Sequence, residues 1–307
     1  MVGWSDGRRI WPRSLPIGGN EADGRPAEIR PVSRCKTSHR PQQEAGSGVT
    51  VDGQRVIVTG ASSGLGAHAV RELVAHGANV LAVARRGDRL EQMAADLAGS
   101  HGRLVPFRAD VTLAADAQAL VSAAVDAFGG LDVLVNNAGS EVQGPIDVLG
   151  EDQLEGMFRA NVMSVFLCTR AALPALRASH GVVINLGSTV VSRPPRGRFG
   201  YVATKGAVEA MTRALALDLG RDGVRVNVIR PGIIPSEFRG STEQAERERF
   251  STGSVFPRQA LNVVGDAQDV AAAIIWLCSD GGRFVTGAVI DIDGGYTLGV
   301  SDLLTAY

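Results

Sequence analysis

Val56-Ile57-Val58-Thr59-Gly60-Ala61-Ser62-Ser63-Gly64-Leu65-Gly66 is the stretch that decides the fold. Its apolar start is a short buried strand. The next periodic segment, residues 64–76, reads as a helix that Gly77 stops. The glycines between them make a phosphate cradle. One permits the sharp turn, another lets the backbone approach a pyrophosphate, and the third lets helix and strand pack closely. The helix N-terminus adds unpaired N–H groups and a partial positive charge. The spacing is Gly-x-x-x-Gly-x-Gly rather than the more familiar Gly-x-Gly-x-x-Gly. Its strand-turn-helix setting is what separates it from an ordinary turn.

Working outward, residues 79–84, 104–108, 133–135, 182–186, 224–229 and 288–292 read as further strands. Residues 89–97, 115–128, 151–178, 200–220 and 266–278 read as helices, with Pro174 expected to bend or shorten the longest. Strands alternating with helices predict an α/β fold. The sheet is parallel and doubly wound, a single Rossmann-fold domain with helices on both faces. Crossovers should be right-handed.

Residues 1–48 differ. They carry five prolines, several glycines, and eight basic against five acidic residues, without apolar periodicity. They are expected to be a disordered extension ahead of a catalytic domain spanning 49–307. The whole chain has 307 residues, 45% hydrophobic and 21% charged, with a net charge of -1. That balance argues against nucleic acid as a partner. Five scattered histidines and three distant cysteines offer no metal spacing and no disulfide framework. No apolar run reaches membrane-spanning length. A reduced, cytoplasmic setting is expected, without a membrane partner.

The end of the second strand bears on the nucleotide. Sites for NAD place an acid there to bind the ribose hydroxyls. This chain has Val83-Ala84-Arg85-Arg86, with no acid until Asp88. An acid would repel a 2′-phosphate, whereas Arg85 can bind one through a charge-assisted contact. NADP(H) is therefore favoured over NAD(H).

Chemistry enters with Tyr201-Val202-Ala203-Thr204-Lys205 and with Ser188, thirteen residues before the tyrosine. At about 3.6 residues per turn, positions four apart share a helix face. Hydride transfer to a carbonyl leaves an alkoxide that needs a proton. A free tyrosine, with a pKa of about 10, exchanges it poorly at neutral pH. A neighbouring ammonium stabilises the phenolate and lowers that value. Ser188 can hydrogen-bond the developing oxyanion.

With these residues in order, the stretch from 53 to about 299 resembles the short-chain dehydrogenase/reductases. The likeness rests on the glycine turn, Asp110-Val111, Asn136-Asn137-Ala138-Gly139, Asn161, Ser188, Tyr201-x-x-x-Lys205 and Pro231-Gly232. The resemblance implies roles. Tyr201 is the acid/base and, with Lys205, also touches the cofactor, Lys205 binding the nicotinamide ribose. Ser188 positions substrate, and Asn161 holds a water in a proton relay. Gly60, Ser62, Ser63, Gly64, Leu65 and Gly66 cradle phosphate, with Arg85 and Arg86 beside them. Asp110 and Val111 meet the adenine, while Asn137, Ala138 and Gly139 pass along the cofactor. Pro231, Gly232, Ile234 and Ser236 lie at the nicotinamide, with Ser236 where the family often has threonine. The substrate is a small carbonyl or alcohol. A 3-oxoacyl-carrier-protein reductase and a sugar or small-alcohol dehydrogenase are variants of that reading. A silent nucleotide-sensing regulator is the non-enzymatic one. A homodimer or homotetramer is implied, through the helices from Glu151 and Gly200 and through the segment 291–296. Substrate choice should lie in 140–144, 189–200 and 233–265. The middle segment carries Arg193, Arg196 and Arg198, either a solvated loop or an anion-attracting rim.

Overall fold

The structure, a computed structural model, describes residues 50–239, 244–246, 248, 259–261 and 263–299. The expected disordered extension at 1–48 lies outside them, as does much of 240–258 in the third substrate segment. Strands are β1 (Arg55–Thr59), β2 (Asn79–Ala84), β3 (Arg103–Arg108), β4 (Val133–Asn136), β5 (Val182–Leu186), β6 (Arg225–Pro231) and β7 (Val289–Ile292). They form one parallel sheet in the order β3-β2-β1-β4-β5-β6-β7. Pro106 sits on β3, an edge strand, where a missing N–H does least harm.

Successive side chains of a strand point to opposite faces, and the core divides accordingly. Val56 and Val58 of β1 pack with Val70 and Leu73 of α1 (Gly64–Ala75), Leu90 of α2 (Gly87–Asp96) and Ile274 of α7 (Ala267–Cys278). Ile57 faces the other way. It joins Leu120 of α3 (Ala114–Phe128), Leu176 of α5 (Ser164–Ser179) and Leu219 of α6 (Phe199–Gly220). Each fully buried Leu, Ile or Val of this kind stabilises the fold by about 1.5–3 kcal/mol. The cysteines follow the same division. Cys168 lies in one layer and Cys278 in the other, and burial pushes both thiols up to about 12.

A polar chain crosses the buried sheet. Asn136 donates to Thr169 Oγ1 at 3.1 Å and to Asn185 Oδ1 at 2.9 Å, and Asn185 donates to Thr212 Oγ1 at 2.9 Å. It ties β4 and β5 to α5 and α6. Buried groups of this kind are costly unless paired, so the chain fixes register.

One expectation is corrected. The long helix expected over 151–178 does not break at Pro174, which lies inside α5. It breaks between α4 (Glu151–Phe158) and α5, in a π turn over Arg159–Met163. There the Ser164 N–H reaches back to Arg159 O, and the Ser164 hydroxyl donates to Ala160 O at 2.6 Å. The turn buries Asn161. Strand order reverses between β1 and β4, so the crevice opens at the carboxyl ends of the central strands, where such sheets take their ligands.

Candidate active site

At the end of β1 the Thr59 hydroxyl accepts from the N–H groups of Asn137 (3.0 Å) and Ala138 (3.1 Å). The Asn137 amide donates back to Thr59 O at 2.9 Å and Gly60 O at 3.1 Å. The glycine turn is thus stapled to the end of β4. A Cβ on Gly60 would come within 2.8 Å of Ala138 Cα, and one on Gly66 would collide with Gly60 O and the Asn137 amide. Gly64, at φ +54°, has open space instead, with Ser236 Cβ at 3.5 Å as its near neighbour. Two glycines therefore serve close packing, and the third keeps the backbone bare at the mouth of α1.

Past Ala84, Arg85 is exposed, and Arg86 donates to Ser62 Oγ at 3.1 Å and Ser63 Oγ at 2.6 Å. Asp110 follows β3. Burial pushes its carboxyl up, but hydrogen bonds from the Thr112 N–H and hydroxyl, together with the Arg85 charge, outweigh that and hold it below the usual range.

Tyr201 and Lys205 sit one turn apart near the start of α6, both buried. Lys205 Nζ lies 5.7 Å from the Tyr201 ring centroid and donates to Leu186 O at 2.7 Å. Burial pulls its pKa from 10.5 down to about 8. Tyr201 shares a buried apolar cluster with Met157 and Val190. The Phe238 ring stands 5.9 Å from the Tyr201 ring. Ser188 leads the short turn Thr189–Val191, where its Oγ accepts from Val190 N–H at 3.4 Å.

Asn161 stands behind this pair. Its Oδ1 accepts from Ser140 N–H at 2.7 Å, and its Nδ2 donates to Ser140 O and Thr204 Oγ1, each at 2.9 Å. The amide locks the loop after β4 to α6. The next residue of that loop, Glu141, forms an ion pair with Arg198 at 2.6 Å, the two side chains only 3% and 13% exposed. Gly144 N–H also donates to Gly197 O at 2.8 Å. Two of the three expected substrate segments are therefore clamped together, immediately ahead of Tyr201.

Most of these groups meet in one cleft of about 1090 Å³. Gly60, Ser62, Ser63, Gly64, Leu65, Arg85, Arg86, Asp110, Val111, Asn137, Ala138, Gly139, Ser188, Tyr201, Lys205, Pro231, Gly232, Ile234 and Ser236 line it. Gly66 and Asn161 do not; they pack behind its wall. Sequence reading placed Glu141 and Phe238 inside the expected substrate segments 140–144 and 233–265, and Tyr296 in the segment 291–296, but gave none of them its contact. It quoted Thr59 and Thr204 within motifs without the roles of their hydroxyls, which act through contacts distant in sequence.

A family model described as enoyl-(acyl carrier protein) reductase matches residues 60–297. The 4-formylbenzenesulfonate dehydrogenase TsaC1/TsaC2 of Comamonas testosteroni is 36% identical over 249 residues, 79% of this chain and 97% of that protein. The 3beta-hydroxysteroid dehydrogenase 1 of Eggerthella lenta is 37% identical over 251 residues, 80% of this chain and 94% of its own length. The crystal structure of a short chain dehydrogenase from Burkholderia cenocepacia J2315 in complex with NADP superposes with a TM-score of 0.71 at 32% identity, covering 80% of this chain and 98% of that one. Matches of this identity, running nearly the full length of each relative, leave one conclusion: the chain belongs to the short-chain dehydrogenase/reductase family of nicotinamide-dependent oxidoreductases.

Proposed function

We propose that the protein is an NADP(H)-dependent oxidoreductase interconverting a ketone and a secondary alcohol, R₂C=O + NADPH + H⁺ ⇌ R₂CHOH + NADP⁺, with Tyr201 as its acid/base. The observation that carries this reading is the Tyr201–Lys205 pair, buried on one turn of α6 and opening into the cleft. The residues fit the cofactor. Gly64 keeps the start of α1 free of side chain, and the N–H groups there suit a pyrophosphate. When bound, the nicotinamide gives or takes the hydride.

The chain's own residues do the rest. Tyr201 delivers a proton to the alkoxide oxygen in reduction and removes it in oxidation. Lys205 holds positive charge beside the phenol and binds the ribose hydroxyls. Ser188 hydrogen-bonds the reacting oxygen. Asn161 positions Ser140 and α6, and is the residue proposed to hold the relay's water. Ser62, Ser63 and Leu65 contribute at the phosphates, and Asp110 and Val111 at the adenine. Ala138 and Gly139 flank the cofactor's path. Pro231, Gly232, Ile234 and Ser236 bound the carboxamide. Val142, Met157 and Phe238 supply apolar wall for the substrate body.

The preference for NADPH rests on Arg85 and Arg86 at a strand end with no acid. Ala84→Asp places a carboxylate where a 2′-phosphate would sit. It should lower kcat/KM for NADPH at least about tenfold, the size of one lost charge-assisted contact, and improve NADH use. The check is steady-state kinetics with both nucleotides; wild-type preference for NADH would refute the assignment.

Assembly is proposed as a dimer or tetramer. Part of the apolar surface expected for it is spent internally. Met157 packs on the substrate wall, and Val165 packs on Val208. Phe158, Met163, Phe166 and Leu217 stay exposed on the helices in question. Burying such side chains against a second copy contributes roughly 25 cal/mol per Å² before association costs. Light scattering at micromolar concentration should give at least twice the chain mass; a fully active monomer would overturn this. Among the described residues no helix is long and apolar enough to cross a membrane, and a cytoplasmic setting is proposed.

A further inference from the structure

We propose that the ketone this cleft accepts carries an anionic group, a carboxylate or its like, on an apolar body, and that Arg159 and Arg196 capture it. The inference rests on the oxidoreductase reading and names its substrate class. Four arginines surround the substrate end, and the structure divides them. Arg198 is neutralised by the buried carboxylate of Glu141. Arg193 stacks 4.3 Å over the Tyr296 ring and donates to Tyr296 O at 2.8 Å, so it braces the C-terminal segment against the cleft. Those two build wall. Arg159, at the start of the π turn, and Arg196, in the loop before α6, line the same cleft and are exposed. Neither guanidinium has an ion-pair or hydrogen-bond partner among the described residues.

The remaining charges of the cleft do not cancel them. Asp110 lies at the far end beside Arg85, and Glu237 is paired with Arg89 at 2.6 Å. Lys205 is committed to Leu186 O beside Tyr201. The cleft they line also carries apolar side chains, Val142, Met157, Val190, Ile233, Phe238 and Tyr296, together with the uncharged Gln143 and Gln153. A cleft that offers both apolar side chains and uncancelled, exposed guanidiniums favours a hydrophobic molecule bearing an anion. A guanidinium binds a carboxylate by paired charge-assisted hydrogen bonds that a neutral amide cannot match.

The test separates binding from turnover. The full chain is saturated with NADP⁺, on which a ketone cannot turn over, and binding of 4-acetylbenzoate and of neutral 4-acetylbenzamide is titrated by calorimetry; NADPH oxidation with the same compounds is followed separately. A larger pair, 6-acetyl-2-naphthoate and its amide, repeats the comparison. In at least one pair the carboxylate should bind about tenfold tighter or better. The gap should close towards about 1 M salt, where the screening length is only about 3 Å. Arg159→Gln and Arg196→Gln should each remove about tenfold from carboxylate affinity and leave the amide unchanged. Equal affinities within both pairs, no carboxylate binding at all, or variants that weaken acid and amide alike would each overturn the proposal. Tight carboxylate binding without NADPH oxidation would leave the anion site standing and count against the redox reading instead.

Discussion

Tyr201→Phe should lower kcat at least about 10²-fold, the usual contribution of a positioned acid/base, while NADPH affinity stays as it was. That loss corresponds to about 2.7 kcal/mol of transition-state stabilisation. The substitution removes one oxygen and keeps the ring. The ring's packing on Met157 and Val190 and its approach to Phe238 survive, so the wall of the cleft keeps its shape. The nucleotide contacts proposed above lie mainly at the glycine turn, the arginines after β2 and Lys205, so its binding should be nearly kept. Stopped-flow reduction and fluorescence titration of the same preparation separate the two quantities. Turnover near the wild-type value would remove Tyr201 from the acid/base role. A matched loss of nucleotide binding would show instead that the phenol holds the cofactor.

What the sequence revealed, and what it hid, follows from the range of the forces involved. Strand and helix order was legible because apolar periodicity and glycine stops are local. Residues 79–84 and 182–186 emerge as strands with the expected bounds. The break in the long helix was not legible. Proline is a local warning, and Pro174 drew the expectation there. The actual interruption at Arg159–Met163 is sustained by distant partners, since Asn161 reaches Ser140 across 21 residues and Thr204 across 43. The site shows the same division. Tyr201 and Lys205 could be placed together because helix geometry alone does it. The clamp of Glu141 on Arg198 could not, because 57 residues separate them and neither sits in a motif. It also changes what the arginine-rich loop means. Of its three arginines, the structure gives Arg193 and Arg198 wall-building partners and leaves Arg196 facing the cleft.

Lys205→Met should cost activity and raise stability, and the pH dependence of the second effect tests its cause. The ammonium is buried and its pKa is pulled from 10.5 to about 8 by loss of water. Below pH 8 the unfolded lysine is charged in water, while the folded one is charged in a dry site. A displacement of that size corresponds to about 3 kcal/mol held against the folded state. The bond to Leu186 O returns about 1 kcal/mol of it. A methionine of similar length removes both terms. The cofactor-free variant should therefore be more stable by about 1–2 kcal/mol at pH 7 in urea unfolding. The sign with pH is fixed. Between pH 8 and 10.5 the unfolded wild type binds more protons than the folded form, so wild-type stability rises with pH across that window. The variant's advantage must shrink there and vanish near the upper limit. Turnover should fall at least about 10²-fold, because the phenol loses the ammonium that stands 5.7 Å from its ring. A variant less stable than wild type at pH 7, or an advantage indifferent to pH, would show that Lys205 is not held at a cost. A lysine that weakens the fold and is still indispensable to turnover would be strain kept for chemistry, the exchange of stability for function expected where a charge must stand ready in a dry site.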